Sequence, residues 1–225
     1  MMKGRLVTEF LGSACSGYTT TTRFVTEVDD GEGERQVTDS RSKTFESSDG
    51  RFDFDNKTYD DGDISEAAVG KAQRNPDGVT VTLTEPTPKA LELARDVVFP
   101  TEQLVRIIEM AREGKHFASF SAYDGLESGE TVQLTTTVIG TGSTNTEDAG
   151  VESAIVKAGY AGVLHWPVTI SYFDEGKGAD QAPMYAMSAI LYENGIMRQL
   201  KLNYGRFTLV GTMVQLDVLP EKACP

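Results

Sequence analysis

A two-residue alternation of side chains dominates the first third of the chain and restricts the fold more than any other feature. Between Gly4 and Leu83 the sequence forms runs rich in Thr, Val and aromatic residues, in which successive side chains fall on opposite faces. Turn-forming pairs such as Asp49-Gly50 and Asp61-Gly62 separate the runs. Half-buried antiparallel strands have this pattern, so the sequence predicts hairpins in series.

One helical pattern interrupts the strands. Four apolar residues recur at positions i, i+3, i+4 and i+7 and form one face of a helix over residues 101–113: Leu104, Ile107, Ile108 and Ala111. Thr101 can cap the start of this helix, and Gly114 can end it. A second, shorter helix is expected over residues 147–157, which follow a run of small polar residues.

The second half of the chain returns to strands, which are predicted over residues 115–123, 131–139, 166–173, 184–192, 196–204 and 207–219. Asn194-Gly195 joins two of them and predicts a two-residue type I′ turn, which needs positive φ at both positions. We therefore expect a mainly β fold with one domain over residues 1–225. In this fold a large curled antiparallel sheet, a β-spiral or half-open barrel, wraps the helix and leaves no long flat edge exposed.

The charge balance limits the partners of the protein. The 225 residues include 21 Lys or Arg against 34 Asp or Glu, which gives a formal net charge of −13. Such a chain repels nucleic-acid phosphates and anionic lipid headgroups, so neither is an expected partner. No apolar run approaches the about 18 residues of a membrane-spanning helix, so no membrane span is predicted.

Signatures of catalysis and of metal binding are scarce. The two histidines, His116 and His165, stand in unrelated contexts without a cysteine or acidic residue at metal-ligand spacing. The acidic stretch before Gly62 departs from the calcium-loop order, because Lys57 and Tyr59 occupy ligand positions. We therefore predict no catalytic residue, no metal site and no cofactor.

The two cysteines, Cys15 and Cys224, lie 209 positions apart, near opposite ends of the chain. A bond between them would close nearly the whole chain into a ring and would indicate an oxidising compartment. Two reduced cysteines in a cytosolic protein are one alternative, since Cys also serves as a small buried residue. A nucleophilic Cys15 with His116 or His165 as its base is another.

The predicted helix face and Trp166 are the candidates for a binding site. The four apolar residues from Leu104 to Ala111 could line a pocket for a hydrophobic ligand between the helix and the sheet, or could fill that space as a plug. Trp166, which Pro167 follows, could anchor a strand at the edge or mark a groove. The sequence leaves these alternatives open.

An ordered set of short segments resembles the EipB family of cell-envelope integrity proteins. The first segment starts at Gly4 and continues through Gly12-Ser13-Ala14-Cys15-Ser16-Gly17-Tyr18 to Arg23-Phe24-Val25-Thr26. The later segments are Phe99-Pro100-Thr101-Glu102, Gly114-Lys115-His116-Phe117, Tyr123-Asp124-Gly125, Trp166-Pro167-Val168, Tyr172-Phe173-Asp174, Tyr192-Glu193-Asn194-Gly195-Ile196, Asn203-Tyr204-Gly205 and Glu221-Lys222-Ala223-Cys224. Each segment is short, but the ordered set is specific and spans nearly the whole chain.

The resemblance implies a periplasmic protein of Gram-negative bacteria with an antiparallel β-spiral fold, a disulfide between Cys15 and Cys224 and a role in envelope integrity. It brings no catalytic residues. We therefore expect a non-enzymatic protein that binds an envelope protein partner, with a carrier or chaperone for a lipid or lipoprotein as the alternative. The start of the chain has no apolar signal segment, and we expect that a signal and native strand residues precede it. An exposed sheet edge would then allow a weak dimer beside the monomer.

Overall fold

A computed structural model of the chain describes residues 2–29, 31, 35–145, 150–174, 181–219 and 224. Within these residues, thirteen strands and two helices follow one another. The first seven strands are β1 Met2–Ser13, β2 Gly17–Asp29, β3 Arg35–Glu46, β4 Arg51–Asp60, β5 Asp63–Arg74, β6 Val79–Glu85 and β7 Lys89–Leu93. The other elements are α1 Pro100–Arg112, β8 Phe117–Ala122, β9 Gln133–Ile139, α2 Ser153–Lys157, β10 His165–Asp174, β11 Tyr185–Tyr192, β12 Met197–Asn203 and β13 Thr208–Val210.

The first seven strands form one antiparallel sheet in chain order, β1-β2-β3-β4-β5-β6-β7. Each strand pairs with the next through a hairpin, as the alternation predicted. At the turn between β4 and β5, Asp61 and Gly62 have φ angles of 51° and 97° and close the pair formed by Asp60 and Asp63. Positive φ at both central positions gives a twist that matches the strands, so the sequence of this turn favours the hairpin.

Aromatic rings dominate the core beside this first sheet. Phe52 stacks on Phe99 with 4.9 Å between ring centroids, and Tyr123 meets Phe54 edge-on at 5.8 Å. All four side chains are buried, and the Tyr123 hydroxyl donates a hydrogen bond of 2.7 Å to the carbonyl of Gly129. Buried rings of this size remove a large apolar area from water, and the hydroxyl keeps its hydrogen bond in the interior.

The other six strands form a second antiparallel sheet in the order β13-β12-β11-β10-β9-β8. Helix α1 packs on one face of this sheet, which we call the inner face. The core of this part combines the apolar face of α1 with alternate residues of the central strands: Ile107, Ile108, Ala111, Ile139, Trp166, Val168, Ile170, Ala189 and Leu191. The helix predicted over residues 101–113 is therefore confirmed, and its four apolar residues point to the sheet.

The hairpin between β11 and β12 is present, but the type I′ turn predicted for Asn194-Gly195 is wrong. The Tyr192 amide donates to the Ile196 carbonyl at 2.8 Å, so three residues form the loop. Of the predicted pair, Gly195 alone has a positive φ, at 89°. The Asn194 carboxamide oxygen instead accepts the Ile196 amide at 3.2 Å, and this local bond holds the alternative turn.

The prediction of a mainly antiparallel β fold is confirmed, with the strands divided between two sheets. By its contacts the chain falls into two compact units. One contains Met1–Phe99, Tyr123–Thr131 and Cys224, and the other contains Pro100–Ala122 and Val132–Leu219. A single domain over residues 1–225 stays a prediction.

Two predicted elements are shorter in the structure. Helix α2 forms only the end of the segment predicted over residues 147–157, whose residues 147–149 lie outside the described part of the chain. Strand β13 covers three residues of the strand predicted over residues 207–219. Among the described residues, no helix is long and apolar enough to cross a membrane.

Candidate functional site

A line of side chains crosses the inner face of the second sheet. Phe120 of β8 faces Thr135 of β9, and Thr135 faces Tyr172 of β10. Tyr172 in turn faces Tyr185 of β11. The rings of Tyr204, which follows β12, and Phe207, which precedes β13, continue the line. We call the four rings in mutual contact the aromatic row: Tyr172, Tyr185, Tyr204 and Phe207.

The four rings of the aromatic row are stacked on one another. Tyr172 and Tyr185 lie 4.2 Å apart between centroids, with 11° between their planes. Tyr185 and Tyr204 are 5.8 Å apart, and Tyr204 and Phe207 are 5.0 Å apart, with planes inclined by 26° and 27°. Each stacked contact of this kind stabilises the folded protein by about 0.5–1.5 kcal/mol, in addition to the contribution from burial of the ring surface. The row is therefore held in one arrangement before anything binds to it.

Exposure increases along the aromatic row. Tyr172 and Tyr185 are half-buried, and Tyr172 packs against the core. Tyr204 is 39% exposed and Phe207 is 47% exposed. Burial raises the pKa of Tyr204, so its hydroxyl stays protonated at neutral pH. The exposed end thus presents apolar ring area together with a neutral hydrogen-bonding group, a combination that protein interfaces favour.

A β-bulge in β12 places Tyr204 on the inner face. Arg198 pairs with Ile190 and Lys201 pairs with Ser188, so two residues, Gln199 and Leu200, oppose a single residue of β11. Gln199 has a φ of 53°, a left-handed conformation that non-glycine residues rarely adopt. The extra residue shifts the alternation of β12 by one position. Leu200, and with it Tyr204, therefore points to the inner face.

Buried charges hold this bulge. Glu152, just before α2, accepts the Gln199 amide at 2.9 Å through one carboxylate oxygen, and its other oxygen lies 3.7 Å from the Arg198 guanidinium. The Glu152 and Arg198 side chains are 5% and 1% exposed. The Arg198 Nε donates to the Tyr192 hydroxyl at 3.0 Å. A buried ion pair costs desolvation energy, and here the carboxylate that faces Arg198 also accepts the Gln199 amide of the bulge.

The residues predicted to line a pocket lie together in the packed core. Ile107, Ile108, Ala111 and Trp166 are each at most 8% exposed and belong to one cluster, against which Leu104 packs. Side chains with so little accessible surface fill the space between α1 and the sheet, which favours the plug over the pocket. A pocket for a hydrophobic ligand at these residues stays a prediction.

The two cysteines are joined in a disulfide, as predicted. Cys15 lies in the turn between β1 and β2, and its Cα is 5.7 Å from the Cα of Cys224. Both residues are exposed. The bond leaves no thiolate for a nucleophilic Cys15, and it is the bond expected in an oxidising compartment.

The two histidines are held by main-chain carbonyls. His116 Nδ1 lies 2.9 Å from the Ile139 carbonyl oxygen, and His165 Nδ1 lies 2.7 Å from that of Val163. His165 is only 1% exposed and lies against the ring of Tyr192. Within the described ranges, no group of three His, Cys, Asp or Glu residues is placed to hold a metal ion.

Two open surface depressions lie away from the core. One, of about 430 Å³, is on the first sheet and is lined by Arg51, Lys71, Ala72, Gln73, Thr80 and Thr82. The other, of about 290 Å³, is in the second unit and is lined by Gly150, Glu152, Gln199, Lys201, Val210, Gly211 and Thr212. The second depression adjoins the bulge of β12 and the end of β13, so it lies near the residues that position the aromatic row.

The sequence pattern alone does not reveal the aromatic row. Tyr172, Tyr185 and Tyr204 lie 13 and 19 positions apart in the chain, and the register of β10, β11 and β12 brings their rings into contact. The sequence does contain one signal of this arrangement. The alternation of apolar residues in the β12 segment changes from odd-numbered positions at Met197 to even-numbered positions at Leu200. That change is the mark of a bulge, and it would have placed Tyr204 on the same face as Tyr185.

Comparison with known proteins gives consistent matches over nearly the whole chain. The sequence model of the EipB-like family matches residues 1–220. The protein named cell envelope integrity protein EipB from Brucella abortus (strain 2308) is 38% identical over 218 residues, which are 96% of this chain and 76% of that protein. A crystal structure of a protein from Brucella abortus, described as β-barrel-like and of a domain of unknown function, superposes with a TM-score of 0.88. It is 37% identical, and the match covers 97% of this chain and 89% of that one.

Proposed function

This chain belongs to the EipB-like family, and from that membership we propose that it supports the integrity of the cell envelope as a non-catalytic periplasmic protein that binds another envelope protein. The name of the 38% identical relative supports the role in the envelope. The exposed disulfide between Cys15 and Cys224 supports the periplasm, because cytosolic reductants remove such bonds.

The aromatic row is the observation that carries the binding role. Tyr and Phe are enriched at protein interfaces, where a few large rings supply most of the binding energy. Here four such rings are stacked in advance, and the two at the exposed end, Tyr204 and Phe207, keep 39% and 47% of their surface accessible. A partner that covers them gains apolar contact without the entropic cost of ordering the rings.

The chemistry of the reactive side chains agrees with a non-catalytic role. The two cysteine sulfurs are bonded to each other, and His116 and His165 each face a main-chain carbonyl through Nδ1. The cysteines and histidines therefore have structural roles. The packed inner face beneath α1 also favours protein binding over the carriage of a lipid or lipoprotein, which needs a vacant interior.

The test is complementation of a strain that lacks the gene, scored by its growth in the presence of a membrane-active detergent. The test variant is Tyr204→Ala/Phe207→Ala, which removes the exposed end of the aromatic row. The matched control is Phe117→Ala, because Phe117 is an exposed aromatic residue, 58% accessible, on the other face of the same sheet. We expect the control to restore growth and the double variant to fail.

Equal amounts of each protein in the periplasm, with equal melting temperatures, must accompany this comparison. Growth with the double variant that matches growth with the parent would contradict a binding role for the aromatic row. Failure of the Phe117→Ala control at equal abundance would show instead that the requirement for an exposed ring is not confined to the aromatic row.

A further inference from the structure

Residues 212–219 form an extended segment that has a strand-like sequence but no strand partner among the described residues. The segment follows β13 and contains three β-branched residues, Thr212, Val214 and Val218, together with Met213, Leu216 and Leu219. The sequence predicted a strand up to residue 219, yet β13 ends at Val210. The last main-chain bond to β12 runs from the Gly211 amide to the Leu200 carbonyl at 2.7 Å.

The main chain of this segment is open to a partner. From residue 212 to residue 219, the described chain shows no backbone hydrogen bond, and the one bond found there joins the side chains of Gln215 and Asp217 at 2.6 Å. Val214 is 86% exposed, and Val218 and Leu219 are 56% and 47% exposed. An extended chain with unpaired amides and carbonyls and with exposed apolar side chains is a template for another strand.

Several contacts hold the segment in place before binding. Met213 and Leu216 are half-buried, so they anchor its middle. At its start the segment follows β13, which pairs with β12. The second surface depression begins here, since Val210, Gly211 and Thr212 line it. A segment that is already extended and anchored loses little conformational entropy when a strand is added to it.

We propose that the envelope partner adds an extended, basic strand along residues 212–219, which follow β13. This inference rests on the proposed function and specifies how that binding occurs. The main-chain groups supply the pairing, and alternate apolar residues of the partner cover Val214 and Val218. The basic character follows from the net charge of −13 and from Asp217 on the segment. The same net charge disfavours a second copy of this chain as the occupant.

Hydrogen exchange on the oxidised full chain tests this mode directly. The probe is a synthetic peptide of four Val-Lys repeats, and the control peptide has four Val-Glu repeats. We expect the Val-Lys peptide to slow amide exchange in residues 212–219 by at least about tenfold at saturation, because amides that join a strand pair leave water. The Val-Glu peptide should leave exchange there unchanged.

Three results would overturn the proposal. The first is unchanged exchange in residues 212–219 with the Val-Lys peptide. The second is protection that falls only on another part of the chain, such as β1. The third is protection that appears without any peptide as the protein concentration rises, because a second copy would then be the occupant.

Proline substitutions provide an independent test that does not need the probe to resemble the natural partner. Adjacent residues of a strand direct their amides to opposite edges, so Val214→Pro and Gln215→Pro remove donors on different sides. Strand addition predicts that one of the two variants fails to restore growth of the deletion strain and that the other restores it. Both residues are exposed, so both variants should keep the melting temperature of the parent.

The same assay separates this inference from the proposed function. If Tyr204→Ala/Phe207→Ala fails and both proline variants restore growth, strand addition is wrong and the binding role of the aromatic row stands. If the aromatic variant also restores growth, the proposed function is wrong as well.

Discussion

The disulfide between Cys15 and Cys224 allows a test of how this fold is stabilised. Replacement of both cysteines by serine removes a covalent link between residues 209 positions apart. In the loop-entropy description, such a link restricts the unfolded chain by about 5 kcal/mol at 25 °C. Both cysteines are exposed, so substitution by serine leaves no core cavity and removes almost no packing energy. The whole effect should therefore come from the unfolded state.

Residual structure in the unfolded chain reduces this value, and we expect Cys15→Ser/Cys224→Ser to lose about 3–4 kcal/mol of unfolding free energy. Urea titration of the oxidised parent and of the variant, followed by circular dichroism, measures the difference. The denaturant dependence should also become steeper in the variant, because an unfolded chain without the link exposes more surface. The parent in excess reductant is the control and should match the variant. A loss below about 1 kcal/mol would refute the reasoning.

Two further predictions concern charged side chains with little exposure. Hydrogen bonds from Arg23 and Arg41 hold the pKa of Asp39 well below its ordinary value of 3.8, so Asp39→Asn should cost about 1 kcal/mol at pH 7. A depressed carboxyl pKa stabilises the fold only while the group is ionised, so this cost should shrink as the pH falls below about 4. Glu152→Gln removes the carboxylate charge beside Arg198 and should cost about 3 kcal/mol. Urea titration at pH 7 and at pH 3 measures both effects.

Each of these variants has a matched control among the more exposed ion pairs. For Asp39→Asn the control is Asp53→Asn, because the Arg51–Asp53 pair is 54% and 31% exposed. For Glu152→Gln it is Glu193→Gln, whose carboxylate lies 3.3 Å from the Arg112 guanidinium at the surface. Both controls should change stability by less than about 1 kcal/mol. An Asp39→Asn cost that stays constant down to pH 3, or a Glu152→Gln cost no larger than its control, would contradict these arguments.

The sequence by itself determined the local structure with good accuracy. Alternation and turn residues predicted the hairpins of the first sheet, because each strand pairs with its neighbour in the chain and the turns fix the register locally. The 3.6-residue period predicted α1 and the face that it buries. The position of two cysteines in the chain, together with the family resemblance, predicted the disulfide.

The tertiary structure decided the features that depend on contacts between distant segments. The aromatic row exists because the register of β10, β11 and β12 aligns Tyr172, Tyr185 and Tyr204, which lie 13 and 19 positions apart in sequence. The bulge at Gln199, which turns Tyr204 to the inner face, depends on a hydrogen bond from its amide to Glu152, 47 positions earlier. The sequence pattern allowed a strand through residue 219, but the pairing with β12 ends where the Gly211 amide meets the Leu200 carbonyl, at the bulge of β12.

The physical reason for this division is the range of the interactions. Side-chain period, turn geometry and capping act over a few residues, so a single sequence displays them directly. Sheet registers, buried ion pairs and exposed ring contacts depend on segments that only the folded chain brings together, and many registers satisfy the same local pattern. For this protein the local pattern determined the elements and the core face of α1, and long-range packing alone created the aromatic row and left residues 212–219 open.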